Sequence, residues 1–149
     1  MTEKYEPQFR RATSNDIPAM SEIRLSVTEN SLSDPACVTY DMYENFLEKA
    51  GRGWVAECDG RVVAFCFVDK VNASVWALFE RQGYEGQGLG QSLLKKAVAW
   101  IFEIGHERVH LNTGVNTRAD RFYSEQGWVR TPVSSTDVRY SLTKPRTVE

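Results

Sequence analysis

The chain has 149 residues, 18 Lys and Arg against 20 Asp and Glu, and a formal net charge of −2, so it lacks the positive excess that a nucleic-acid surface requires. Its length can bury a core without staples, and residues 1–149 are predicted to form a single domain. No apolar run reaches the length of a membrane span and the opening MTEKYEPQFRR has no signal-peptide pattern, which predicts a cytosolic protein whose partner is a small molecule or peptide, with a homodimer left open.

In chain order, residues 8–13 read as a first strand. Ser14-Asn15-Asp16 with Pro18 opens a helix whose apolar face is Ile17, Met20, Ile23 and Val27, the polar triplet and early proline standing where helix starts favour them. A polar loop over 29–35 leads to a second helix over 39–50, with Tyr43, Phe46 and Leu47 on its buried side. Residues 53–69 read as two strands joined at Asp59-Gly60, a register that sets Cys58 against Arg61 and Cys66 against Gly53. Cys37, Cys58 and Cys66 form no C-x-x-C pair, and the two in the hairpin do not meet, so all three are expected as reduced thiols.

A strand over 75–79 runs into a loop with glycines at alternate positions, Gly86, Gly88 and Gly90, and then into an amphipathic helix. Leu89, Leu93, Ala97, Trp100, Ile101 and Ile104 recur at helical spacing, and Gly105 supplies the stop. Glycines let the loop bend back without a Cβ in the way, and the unpaired N–H groups of the first helical turn, at the positive end of the dipole, suit a phosphate or pyrophosphate. The spacing is neither G-x-G-x-x-G, because Gln91 or Leu93 stands at the third position, nor a P-loop, because Leu89 and Gly90 follow Gly88. Taken alone, the segment is also compatible with an ordinary strand-to-helix turn.

His106-Glu107-Arg108-Val109-His110 satisfies the zinc-protease pattern H-E-x-x-H. That chemistry needs the histidines one helical turn, about 6 Å, apart. Here Gly105 has just ended a helix and Val109 and Leu111 alternate as in a strand, where residues four apart are separated by about 13 Å. No metal is therefore expected. A strand over 108–113, a helix over 116–126 ended by Gly127, and closing strands at Trp128-Val129 and 138–142 complete the chain. The order predicts an α+β fold: a single central mixed, mostly antiparallel sheet of about six to seven strands, with about four helices on its two faces.

Two segments carry a resemblance to a known family. Glu85-Gly86-Gln87-Gly88-Leu89-Gly90 resembles the pyrophosphate-binding signature of the GNAT superfamily of N-acetyltransferases, Gln/Arg-x-x-Gly-x-Gly/Ala. Asn116 to Trp128, NTRADRFYSEQGW, resembles the same family's N-x-x-A-x-x-F-Y-x-x-x-G-F, with Trp128 in place of the last Phe. Trp76-Ala77-Leu78-Phe79 is also similar to one bacterial branch. Two departures stand out: Glu85 replaces Gln or Arg, so that Arg81 and Arg118 are expected to offset it, and Glu80-Arg81-Gln82 replaces aliphatic-x-Pro.

The resemblance implies an enzyme that moves the acetyl group of acetyl-CoA to a primary amine of a small molecule or peptide by direct attack. It implies cofactor contacts from Leu78, Phe79 and Glu80 in the central strand, from Gly86, Gln87, Gly88, Leu89, Gly90 and Gln91 in the loop, and from Asn116, Ala119 and Tyr123. Asn116 is expected at the helix start, and Ala119 keeps the surface low where a pantetheine arm passes, on the face that Tyr123 shares. Tyr123 is the candidate acid for the departing thiolate and Glu80 the candidate base. Glu29, Asn30 and Asp34, in the loop that lines the family's acceptor site, are candidates for substrate contact. The alternative is a non-catalytic acyl-CoA-binding regulatory module on the same fold; a partner-binding domain would not need the glycines.

Overall fold

The computed structural model describes residues 6–26, Glu44 and residues 49–145. The elements are β1 Gln8–Arg11, α1 Ile17–Ser26, β2 Gly51–Cys58, β3 Arg61–Asp69, β4 Ser74–Glu80, α2 Leu89–Glu103, β5 Arg108–Gly114, α3 Arg118–Glu125, β6 Val129–Pro132 and β7 Asp137–Thr143. The strands form one seven-stranded sheet in the order β1-β2-β3-β4-β5-β7-β6. Neighbours are antiparallel except β4 and β5, which run parallel. This is the predicted mixed, mostly antiparallel architecture, with three helices among the described residues. Of the helix predicted over 39–50 only Glu44, helical, and Lys49 and Ala50, already in a turn, are described. Val27, Glu29, Asn30, Asp34 and Cys37 lie outside the described residues.

β3 sits near the middle of the sheet and is apolar at every position from Val62 to Val68, all buried, as a strand covered on both faces must be. On one face α1 lays Ile17, Met20 and Ile23 against Val55, Phe65, Phe67 and Ala77. On the other, Leu89, Leu93, Ala97 and Ile101 of α2 and Tyr123 of α3 cover Trp54, Cys66 and Val68. Phe65 and Phe67 are fully buried, each contributing roughly 2–3 kcal/mol relative to exposure. Ile104 departs from the predicted stripe: it is 44% exposed, because it is the C-cap at which α2 ends and the chain turns away through Gly105. At the start of α1 the turn is held by Asp16, which accepts from the Thr13 N–H at 2.8 Å and from the Arg10 guanidinium through both oxygens.

The hairpin forms at Asp59-Gly60 with Cys58 opposite Arg61, but Cys66 faces Trp54 and not Gly53. The offset is a β-bulge. Pairing passes from Ala56 opposite Ala64 to Glu57 opposite Val62, which leaves Val63 without a partner residue. On the β4 side the Val63 carbonyl accepts the Arg81 N–H at 2.7 Å, continuing the β3–β4 ladder past Ala64 opposite Glu80. A second irregularity skips Trp76 between Ala77 opposite Phe67 and Val75 opposite Val68; the Trp76 ring stacks on Phe67 at 5.8 Å, on the α1 side. Cys58 and Cys66 are buried free thiols. Among the described residues no helix is long and apolar enough to cross a membrane.

Candidate active site

β4 and β5 share a single ladder pair, Ser74 opposite His110, with the His110 N–H donating to the Ala73 carbonyl at 3.0 Å. Beyond it the two parallel strands share no further pair, so the sheet is split along the rest of β4. At the open end of the split the glycine loop follows β4 and the turn into α3 follows β5. Gly86 and Gly88 lie in the left-handed region at φ 78 and 81, and a Cβ built on either would meet nothing within 4 Å. Gly88 is the N-cap of α2 and brings no side chain to its first turn. The first N–H to be satisfied within the helix is that of Ser92, donating to the Gly88 carbonyl at 3.1 Å. The Leu89, Gly90 and Gln91 donors precede it, at the positive end of a 15-residue helix. An open cradle of backbone donors with no Cβ in the way fits the diphosphate of coenzyme A.

The charges around that cradle are less simple. Glu80, the last residue of β4, is half-buried on the α2 side, and a Cβ on Gly90 would lie 3.6 Å from its Cδ and Oε1. Burial pushes the Glu80 carboxyl up; the Gly90 N–H and Arg118 pull it down, and Glu85 adds to the rise. Glu85 folds back on its own loop, where its Oε2 accepts the Gly83 N–H at 2.9 Å, and its Oε1 lies 3.8 Å from the Arg118 guanidinium. The expectation that Arg81 also offsets Glu85 fails: its guanidinium pairs with Glu22 of α1 and donates to the Val62 carbonyl, because the pairing that sets Glu80 opposite Ala64 carries Arg81 on along β3. The acid expected as a base thus has its carboxylate turned to the glycine loop.

The second signature does not begin its helix at Asn116. Asn116 is exposed and left-handed at φ 63, and the N-cap is Thr117, whose side chain accepts the Asp120 N–H at 3.1 Å. Thr117-Arg118-Ala119-Asp120 has the spacing of an N-terminal cap followed by an acid, a signal present in the sequence. Ala119 packs half-buried against the core, as do Leu78 and Phe122, while Trp128 is buried. Tyr123 is 4% exposed, its ring against Phe122, Trp128 and Tyr140 at 5.0, 5.4 and 5.6 Å. Burial, with Cys66 nearby, holds its pKa well above 10, so the hydroxyl keeps its proton. Phe79 belongs to the α1 face, where its ring lies 5.7 Å from Phe65.

The H-E-x-x-H segment is a turn followed by the start of β5. His106 and His110 each bond a carbonyl of the β3–β4 connection, Lys70 and Asn72, which ties that hairpin to β5.

The chain matches the model described as the Acetyltransferase (GNAT) family over residues 17–128. No curated protein matches it. Among solved structures it is similar to the ribosomal-protein-S18-alanine N-acetyltransferase from Escherichia coli, at 15% identity and TM-score 0.74, covering 97% of each chain. It is also similar to the PaiA N-acetyltransferase from Thermoplasma acidophilum in complex with coenzyme A, at 13% identity and TM-score 0.77, covering 93% of this chain and 99% of that one. A third is yncA from Salmonella typhimurium with its cofactor acetyl-CoA, at 18% identity and TM-score 0.74, covering 96% of each. At these identities the likeness is one of fold.

Proposed function

The chain belongs to the acetyltransferase (GNAT) family, and from that premise we propose that it is a cytosolic N-acetyltransferase, a single domain that moves the acetyl group of acetyl-CoA to a primary amine of a small molecule or peptide. The observation that carries the reading is the split between β4 and β5, which ends at a loop of left-handed glycines and bare first-turn donors. The similar structures support it: one is named for an alanine of a ribosomal protein and two hold coenzyme A or acetyl-CoA.

Acetyl-CoA, as co-substrate, supplies a thioester that the amine attacks directly. In this reading the N–H groups of the loop from Gly86 to Gln91 hold the diphosphate, and the backbone of Leu78, Phe79 and Glu80 lines the split. A backbone donor there would polarise the acetyl carbonyl, a kind of contact worth ~3 kcal/mol in the transition state. Asn116 and Ala119 flank the passage, and Tyr123 donates its hydroxyl hydrogen bond to the departing sulfur. A phenol whose pKa stays above that of a thiol gives up its proton uphill, so Tyr123 acts chiefly as a donor that stabilises the thiolate. Glu80, at the end of β4, remains the proposed base that takes the amine's proton, directly or through water. Glu29, Asn30 and Asp34 remain the proposed acceptor contacts.

Thiol release from acetyl-CoA across a panel of amines and peptides tests the proposal. Amine-dependent release is expected; coenzyme A binding with no release on any acceptor would support the regulatory module, which the burial of the Tyr123 ring favours, and no binding at all would overturn both.

A further inference from the structure

On the reading that the first turn of α2 receives the diphosphate of coenzyme A, we propose that Glu80 is a built-in competitor at that turn, an internal anion set against Gly90 whose charge opposes a diphosphate arriving there. Both oxygens of its carboxylate stand over Gly90: a Cβ at that position would lie 3.6 Å from Oε1 and 3.8 Å from Oε2. Gly90 itself is buried, so the acid reaches the turn from the sheet side, where β4 ends, while Gly86, Gln87 and Gly88 face solvent.

With Gly88 as N-cap the first turn has no side-chain cap of its own, and the Glu80 carboxylate lies beside it from across the loop, at the positive end of the helix. The surrounding charge makes the acid a competitor and not a neutral support. Glu85 is a second carboxylate beside the same loop, Arg118 is the guanidinium that faces both, and Arg81 is committed to Glu22 and Val62. Among the described residues, two acids against one cation leave the cradle negative before a further anion arrives, and like charges repel appreciably even in a partly solvated site.

A competitor and a mere support differ in sign. Glu80→Gln keeps the shape of the side chain beside Gly90 and removes the charge, so the melting temperature of the free protein should hardly change while the Kd for coenzyme A, read by calorimetry, tightens by about tenfold. Glu80→Ala provides the same test if the amide variant folds poorly. A Kd that is unchanged or weaker in both folded variants, with wild type binding coenzyme A, overturns the competition and leaves the acetyltransferase reading standing. Absence of binding in wild type and variants alike overturns that reading and the competition with it.

Discussion

Arg130 grips Asp120 as a fork, its Nε donating to Oδ1 at 2.9 Å and its Nη2 to Oδ2 at 3.0 Å. The buried carboxylate also accepts the Tyr140 hydroxyl and the Asn116 N–H, the latter at 2.9 Å. One side chain thus joins the first turn of α3 to β6, to β7 and to the left-handed residue that precedes the helix. Tyr123 lies one turn further along α3, so the placement of its ring depends on this knot.

Asp120→Ala would take the acceptor from the Arg130 fork and from the Asn116 N–H, while the Tyr140 hydroxyl keeps the backbone carbonyl of residue 120 at 2.8 Å. Removing a buried partner of this kind costs at least ~2 kcal/mol. Urea unfolding should show that loss, and a midpoint within error of wild type would mean that α3 is held by packing alone.

Acid should destabilise the fold at the same knot. Hydrogen bonds from Arg130 and Tyr140 hold the Asp120 carboxyl well below the usual range; for Asp16, burial works the other way, but Arg10 and the Thr13 N–H outweigh it and the net shift is also downward. Folded pKa values below the unfolded value of about 4 mean that the native state binds fewer protons, so this stabilisation is complete above that pH and is lost as pH falls through the folded values. Melting temperature should be flat from about pH 7 to 5 and drop below about 4. In Asp120→Asn the drop should be shallower, and an equal drop in both proteins would detach it from Asp120.

Gly88 separates shape from charge in the glycine loop. A Cβ there meets open space, but the left-handed φ of 81 costs an ordinary residue about 1–2 kcal/mol, less for Asn or Asp. Gly88→Asn and Gly88→Asp should therefore both fold with modestly lowered stability, while coenzyme A binding weakens in the first and is abolished in the second. Equal affinities of the two variants for coenzyme A would place the diphosphate elsewhere.

Tyr123→Phe removes a hydroxyl and keeps the buried ring, so affinity for acetyl-CoA should hardly change. Turnover should fall ~10²-fold if donation to the departing sulfur limits the rate. Because the Tyr123 pKa lies well above 10, the wild-type rate should show no inflection from this group below pH 10. Unaltered turnover, under conditions where chemistry is rate-limiting, would remove Tyr123 from the mechanism.

Periodicity and punctuation alone determined the order of elements in this protein. The unbroken apolar run of β3, apolar alternation in β5, helical spacing in α2, Asp59-Gly60 at the hairpin and Gly105 after the helix are local signals, set by backbone sterics and by which side chains must leave water. Both family signatures are local too, each lying within one loop and one helix, which is why they were legible from residue order. What only the tertiary structure decided are the relations between distant residues. The bulge at Val63 moved Cys66 by one place; pairing with β3 carried Arg81 to Glu22, away from the loop; the knot of Asp120, Arg130 and Tyr140 spans 20 positions; and Glu80 met Gly90 through the return of the chain after β4. Register slips, ion pairs and the direction of a half-buried carboxylate arise from packing and solvation among elements, and a linear pattern carries no term for either.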